Sequence, residues 1–122
     1  MKYLQVMSGG AFGSLARYVA GAIITARFGS RFPVGTLVIN VSGSFVIGLL
    51  LTLFLERYSG GFDWRPLVVT GFLGGYTTFS SFEWETYFAA RSGAPWLGAL
   101  YVMSSVGLGY VAVWLGALLA RK

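Results

Sequence analysis

Four apolar stretches occupy almost all of this 122-residue chain. Each has a length near the ~20 residues that an α-helix needs to cross a bilayer. They run from about Tyr3 to Ala26, Val34 to Leu55, Pro66 to Ala90 and Trp96 to Ala120. The connectors "RFGSRFP", "ERYSGGFDWR" and "RSGAP" are short and rich in helix breakers. Pro66 and Pro95 stand where the first turn of a helix tolerates proline. Little chain remains for a soluble domain. The expected fold is therefore an all-α membrane protein, with residues 1–122 forming a single four-helix transmembrane domain. Composition points the same way: 56% of the residues are hydrophobic and 11% charged, against about 25% charged in soluble domains.

What is missing narrows the chemistry. The chain has no cysteine and no histidine, which removes disulfides, thiolate ligands and imidazole acid–base catalysis. No nucleophile–base pair or metal-ligating cluster is visible, so an enzyme is not expected. The net charge of +5 comes from basic residues scattered singly or in pairs between apolar runs. They form no basic stripe, and nucleic acid is not an expected partner. Lys2 resembles the basic start of a signal peptide, but the following stretch contains Arg17 and outlasts a short apolar core. A first membrane helix is the better reading.

Orientation is weakly specified. The side holding both ends of the chain carries Lys2, Arg57, Arg65, Arg121 and Lys122, five in all, and the other carries Arg27, Arg31 and Arg91, three in all. Basic residues flanking the spans set topology, so this small bias lets the chain insert either way up. Dual topology with antiparallel pairing follows as an expectation. Small residues recur at helical spacing, with Gly9, Gly13 and Gly21 in register with Arg17, and Gly71 with Gly75. Such stripes let membrane helices pack closely.

Several polar groups lie where hydrocarbon penalises them. Arg17 is well inside the first span, where a charge costs at least ~2.5 kcal/mol. Snorkelling to the interface and attraction of an ion or a carboxylate both remain open for it. Thr36, Asn40, Ser44 and Gly48 recur every four residues and so share one face of the second helix. Asn40 offers two donors and an acceptor, either as glue between helices or as part of a path. Tyr101, Ser105 and Gly109, beside Ser104, make a similar stripe on the fourth.

The third segment is the most unusual. Its midpoint falls at Thr78, inside "GFLGGYTTFSSF". Paired glycines and hydroxyl-bearing β-branched residues are poor helix formers, and Ser and Thr compete for backbone hydrogen bonds. A helix broken at the midplane would expose carbonyls, which membranes tolerate only where they are buried or line a cavity. A continuous helix with glycine packing is the alternative. Phe79 and Phe82 are three apart and become neighbours if helix resumes after the break. Their ring edges are electropositive and suit a small anion, with plain lipid or helix contact as the alternative. Glu83 and Glu85 follow, nearer the end of the span, where either could meet Arg17 or sit at a vestibule.

Together these residues resemble the Fluc (CrcB) family of fluoride channels. The resemblance rests on "GGAFGSLARY", "GTLVINVSGSFVIG" and "GFLGGYTTFSSF", in order and at family spacing. It implies a dual-topology, antiparallel homodimer in the bacterial inner membrane, exporting fluoride passively through two opposed pores. It also implies a structural Na⁺ on the dimer axis, held by the backbone carbonyls of Gly74 and Thr77. The pore residues it implies are Asn40, Phe79, Phe82, Ser80, Ser81, Thr36, Tyr101 and Ser105, with Arg17 and Glu85 at the vestibules. The family commonly has Thr where Ser81 stands, and it can carry a further hydroxyl where this chain has Gly109. A small multidrug-resistance-type cation/proton antiporter shares the size and topology. That class needs a carboxylate in the first helix, where this chain has Arg17. A scaffold subunit with no ion flux is the other rival.

Overall fold

A computed structural model describes residues 1–57 and 59–122. Helix α1 spans Lys2–Phe28 and α2 spans Val34–Arg57. The third segment is split. Its first half, α3, is a π-helical stretch Pro66–Leu73 that runs into one α-turn, Gly74–Tyr76. The chain leaves helical geometry at Thr77 (φ −83°, ψ 159°) and resumes as α4, Ser80–Arg91. Helix α5, Pro95–Ala120, completes the fold. No strand forms among the described residues.

The break lets the two halves of the third segment choose different partners. Helix α3 lies along α1, α4 lies against α5, and α2 and α5 form the most extensive pair. Glycine makes both long contacts possible. A Cβ at Gly9 would overlap the Leu67 carbonyl oxygen, and one at Gly13 would overlap that of Phe72. The stripe on α1 therefore receives the carbonyls of the wide π-turns. On the other pair, Gly48 faces the Val113 carbonyl and Gly116 faces that of Phe45. Gly48→Val should cost about 3 kcal/mol or more, since backbone cannot yield as a side chain can. Gly107→Ala meets nothing within 4 Å and should gain ~0.5–1 kcal/mol from helix propensity alone. Thermal unfolding in detergent compares the two.

Burial is inverted relative to a water-soluble protein. The core is small, consisting of Ile39, Leu73, Phe82, Tyr101, Ala112 and Ala120, while Phe12, Leu15, Ile23, Met103 and Val106 are among many large apolar side chains left exposed. An apolar exterior this extensive suits hydrocarbon, not water. Among the described residues, α2 and α5 combine the length and apolarity needed to cross a membrane. Helix α1 is long enough, but its glycines and polar residues dilute it, and the third segment is divided.

The loop before α3 is tied down at the surface. Arg65 donates to Asp63 in a bidentate pair at 2.8 and 3.0 Å, and this hydrogen bonding holds the Asp63 carboxyl below its usual range. Gln5, the buried polar residue of α1, donates through Nε2 to the Asp63 carbonyl at 3.0 Å.

Candidate functional site

The break is held from across the bundle. Asn40 Nδ2 donates to the Thr78 carbonyl at 2.8 Å, and the Thr78 amide donates to Asn40 Oδ1 at 2.8 Å. One side-chain amide thus takes up both backbone groups of one residue, as a neighbouring strand would. Thr77 closes α3 by aiming both its amide (3.0 Å) and its hydroxyl (2.9 Å) at the Leu73 carbonyl. Thr78 Oγ1 then accepts from the Ser81 amide at 3.3 Å, in the first turn of α4. Gly43 of α2 gives the room, because a Cβ there would overlap the Thr77 methyl. The Ser42 and Tyr76 hydroxyls share a further hydrogen bond at 2.9 Å between α2 and α3.

Two cavities meet on this clamp, with Thr78 in the wall of both. The first, about 460 Å³, is bordered by Asn40, Gly74, Thr77, Phe79, Phe82 and Ser105. Phe79 and Phe82 sit with ring centroids 6.0 Å apart and planes tilted by 53°. Phe82 is buried and Phe79 is 73% exposed. Ser105 Oγ is buried there with no hydrogen-bond partner among the described residues. A buried hydroxyl normally finds one, so this one is left available to something in the cavity.

The second cavity, about 580 Å³, is bordered by Arg17, Thr36, Ser81 and Glu85. Arg17 is half-buried and forms no ion pair among the described residues; neither Glu83 nor Glu85 reaches it. Glu85 is engaged elsewhere. Its Oε1 accepts from the Thr36 hydroxyl at 2.7 Å and its Oε2 from the Tyr101 hydroxyl at 3.2 Å. Tyr101, 1% exposed, is locked by edge-on contacts to Phe82 at 5.0 Å and Phe32 at 5.5 Å. Tyr101 therefore connects the phenylalanine pair to the carboxylate.

Of the twelve site residues that the resemblance implies, six border the first cavity and four the second, and Tyr101 touches Phe82 of the one and Glu85 of the other. Ser80 borders neither and is exposed. Thr78, marked in the sequence only as the segment's midpoint, organises the break through its side chain and backbone. The "TT" pair was legible as a helix-weakening signal, but which threonine bonds to what depends on Asn40, far away in the chain.

These features define a class: an all-helical protein with an apolar exterior and two largely apolar cavities, each bearing a few polar side chains, that meet on a clamped helix break. The family model described as "CrcB-like protein, Camphor Resistance (CrcB)" matches residues 4–117. The chain is also 62% identical to the "Fluoride-specific ion channel FluC" of Solibacter usitatus over the full length of both. It is 50% identical to the protein of that name from Acidobacterium capsulatum, covering 100% of this chain and 98% of the relative. A namesake from Roseiflexus sp. is 46% identical, with 99% and 98% covered. The chain belongs to the CrcB-like family.

Proposed function

We propose that this protein is a fluoride-selective channel, a single four-span transmembrane domain of the bacterial inner membrane that lets cytoplasmic fluoride leave passively. The observation that carries this reading is the first cavity, where the unpartnered Ser105 hydroxyl faces the space bordered by Phe79, Phe82 and Asn40. Fluoride is small and strongly hydrated, so a selective path has to replace lost water with close donors. The Ser105 hydroxyl, the second Nδ2 hydrogen of Asn40 and the ring edges of the phenylalanines are donors of that kind. None of them carries a charge that would hold the ion too tightly to release it.

The second cavity serves as the vestibule. Arg17 raises the local anion concentration, while the Thr36 and Tyr101 hydroxyls hold the Glu85 carboxylate and mask its charge. Ser81 lies between vestibule and break, and Ser80, one position earlier, serves the path only if a second subunit approaches it. The weak charge bias of the chain supports dual topology and an antiparallel homodimer with two opposed pores. The relatives' names support fluoride as the ion.

A structural Na⁺ at the dimer centre fits the residues present. No amide hydrogen bond reaches the Gly74 or Thr77 carbonyl from the residue four positions on, because those amides are turned to side chains. Both residues border one cavity, and a hard cation prefers oxygen ligands. Two carbonyls per subunit, brought together by a two-fold axis, would hold it. Once bound, such a cation supplies a fixed positive charge beside the anion path.

Fluoride efflux from liposomes, read with a fluoride electrode, tests the function. The expected result is rapid fluoride loss with chloride retained. Equal rates for the two ions would refute selectivity, and no flux of either would favour a scaffold subunit.

A further inference from the structure

We propose that Asn40 and Thr78 are positioning residues: their side chains draw away the two backbone amides that would otherwise occupy the carbonyls of Gly74 and Thr77. The inference rests on the cation reading above and says how this chain builds that site.

In an α-helix the amide of each residue donates to the carbonyl four positions earlier. The Thr78 amide would then serve Gly74, and the Ser81 amide would serve Thr77. Neither bond is present. The Thr78 amide goes to Asn40 Oδ1 at 2.8 Å, and the Ser81 amide goes to Thr78 Oγ1 at 3.3 Å. Two side chains thus release two carbonyls, and these are the pair that the family resemblance assigns to the cation. The second Asn40 bond, from Nδ2 to the Thr78 carbonyl, fixes the peptide in place and holds Thr77 at ψ 159°. Thr77 does not compete for either carbonyl, because its amide and hydroxyl both turn back to Leu73. A carbonyl stripped of its donor away from water needs another partner. Asn40 therefore faces two ways, with one Nδ2 hydrogen holding the break and the other free for the anion cavity.

Thr78→Val keeps shape and β-branching but removes the acceptor, so the Ser81 amide can return to the Thr77 carbonyl. Each carbonyl has two lone pairs, and the cation site should be weakened, not erased. The full-length protein is unfolded thermally in detergent without fluoride, in NaCl or in N-methylglucamine chloride, with Na⁺ titrated between them. Amide hydrogen exchange at Ser81 is read on the same samples. The parent should be stabilised by Na⁺. T78V should need about tenfold more Na⁺ for the same shift, as expected for the loss of about one hydrogen bond's worth of selectivity. Thr78→Ser, which restores the acceptor, should match the parent in both readouts. Asn40→Leu, acting on the other carbonyl, should also weaken the Na⁺ response.

A merely structural threonine would lower stability equally in both salts and leave the Na⁺ midpoint unchanged; that result overturns the proposal. A parent with no Na⁺ response overturns the cation reading itself, and this inference falls with it. Where T78V fails to fold, Thr78→Ala takes its place with the same expectation.

Discussion

Phe82→Ile should lower the initial rate of fluoride efflux from liposomes by about ten- to a hundredfold while leaving a folded, helical protein. The ring edge is the part of phenylalanine that isoleucine cannot supply. Phe82 borders the cavity shared with Ser105, beside Phe79 at 6.0 Å. Losing an electropositive edge costs about 1 kcal/mol per contact, or roughly tenfold in rate for each 1.36 kcal/mol. A second loss adds to it. Tyr101 rests edge-on against Phe82 at 5.0 Å, and its hydroxyl holds Glu85. On the proposed reading, a looser Tyr101 would free the carboxylate to repel anions at the vestibule. The stability cost is smaller in its consequences, about 1–3 kcal/mol for a reshaped buried side chain. Efflux within twofold of the parent, from protein with unchanged circular dichroism, would remove Phe82 from the path.

The same region shows what could and could not be read from the chain. A weak point in the third segment was legible in "GGYTTFSS" because its residues are poor helix formers. Its position was legible to about a residue from the segment midpoint at Thr78, but which residue leaves helical geometry was not. Gly74 keeps helical angles (φ −63°, ψ −36°), and the departure comes at Thr77. Gly75 is needed instead for contact, since a Cβ there would stand 2.7 Å from the Gly10 carbonyl oxygen. The decisive partner is Asn40, which local propensity cannot include. Asn40 itself could be read as a buried amide on a polar stripe, but its two-bond hold on Thr78 could not. The small-residue stripe on α1 was legible through its four-residue spacing. That π-turns of α3 lie on it was not, because those turns carry no composition of their own. Ser80 and Ser81 make the same point in one step. Adjacent helical residues are turned ~100° apart, so only one of two like side chains borders the second cavity.

Ser105→Ala should separate function from stability more sharply than any other substitution. Most buried hydroxyls are bonded, and deleting one strands its partner at a cost of about 1–3 kcal/mol. Ser105 strands nothing, because its Oγ has no hydrogen-bond partner among the described residues. The alanine variant should therefore unfold at the same temperature as the parent or slightly higher. Its neighbours support this, since the side chain borders open cavity and its removal creates little new void. Fluoride efflux should nonetheless fall about ten- to a hundredfold, because a hydrogen bond to a charged group is worth about 1.5–3 kcal/mol. Ser105→Thr keeps the donor and should retain most of the flux if the extra methyl fits. A structural role predicts the opposite pattern, lower stability with flux lost only in proportion to unfolded protein. Parallel melting curves and electrode traces on the same preparations distinguish the two. An S105A protein that is stable and conducts like the parent would leave the unpaired hydroxyl without a part in anion passage.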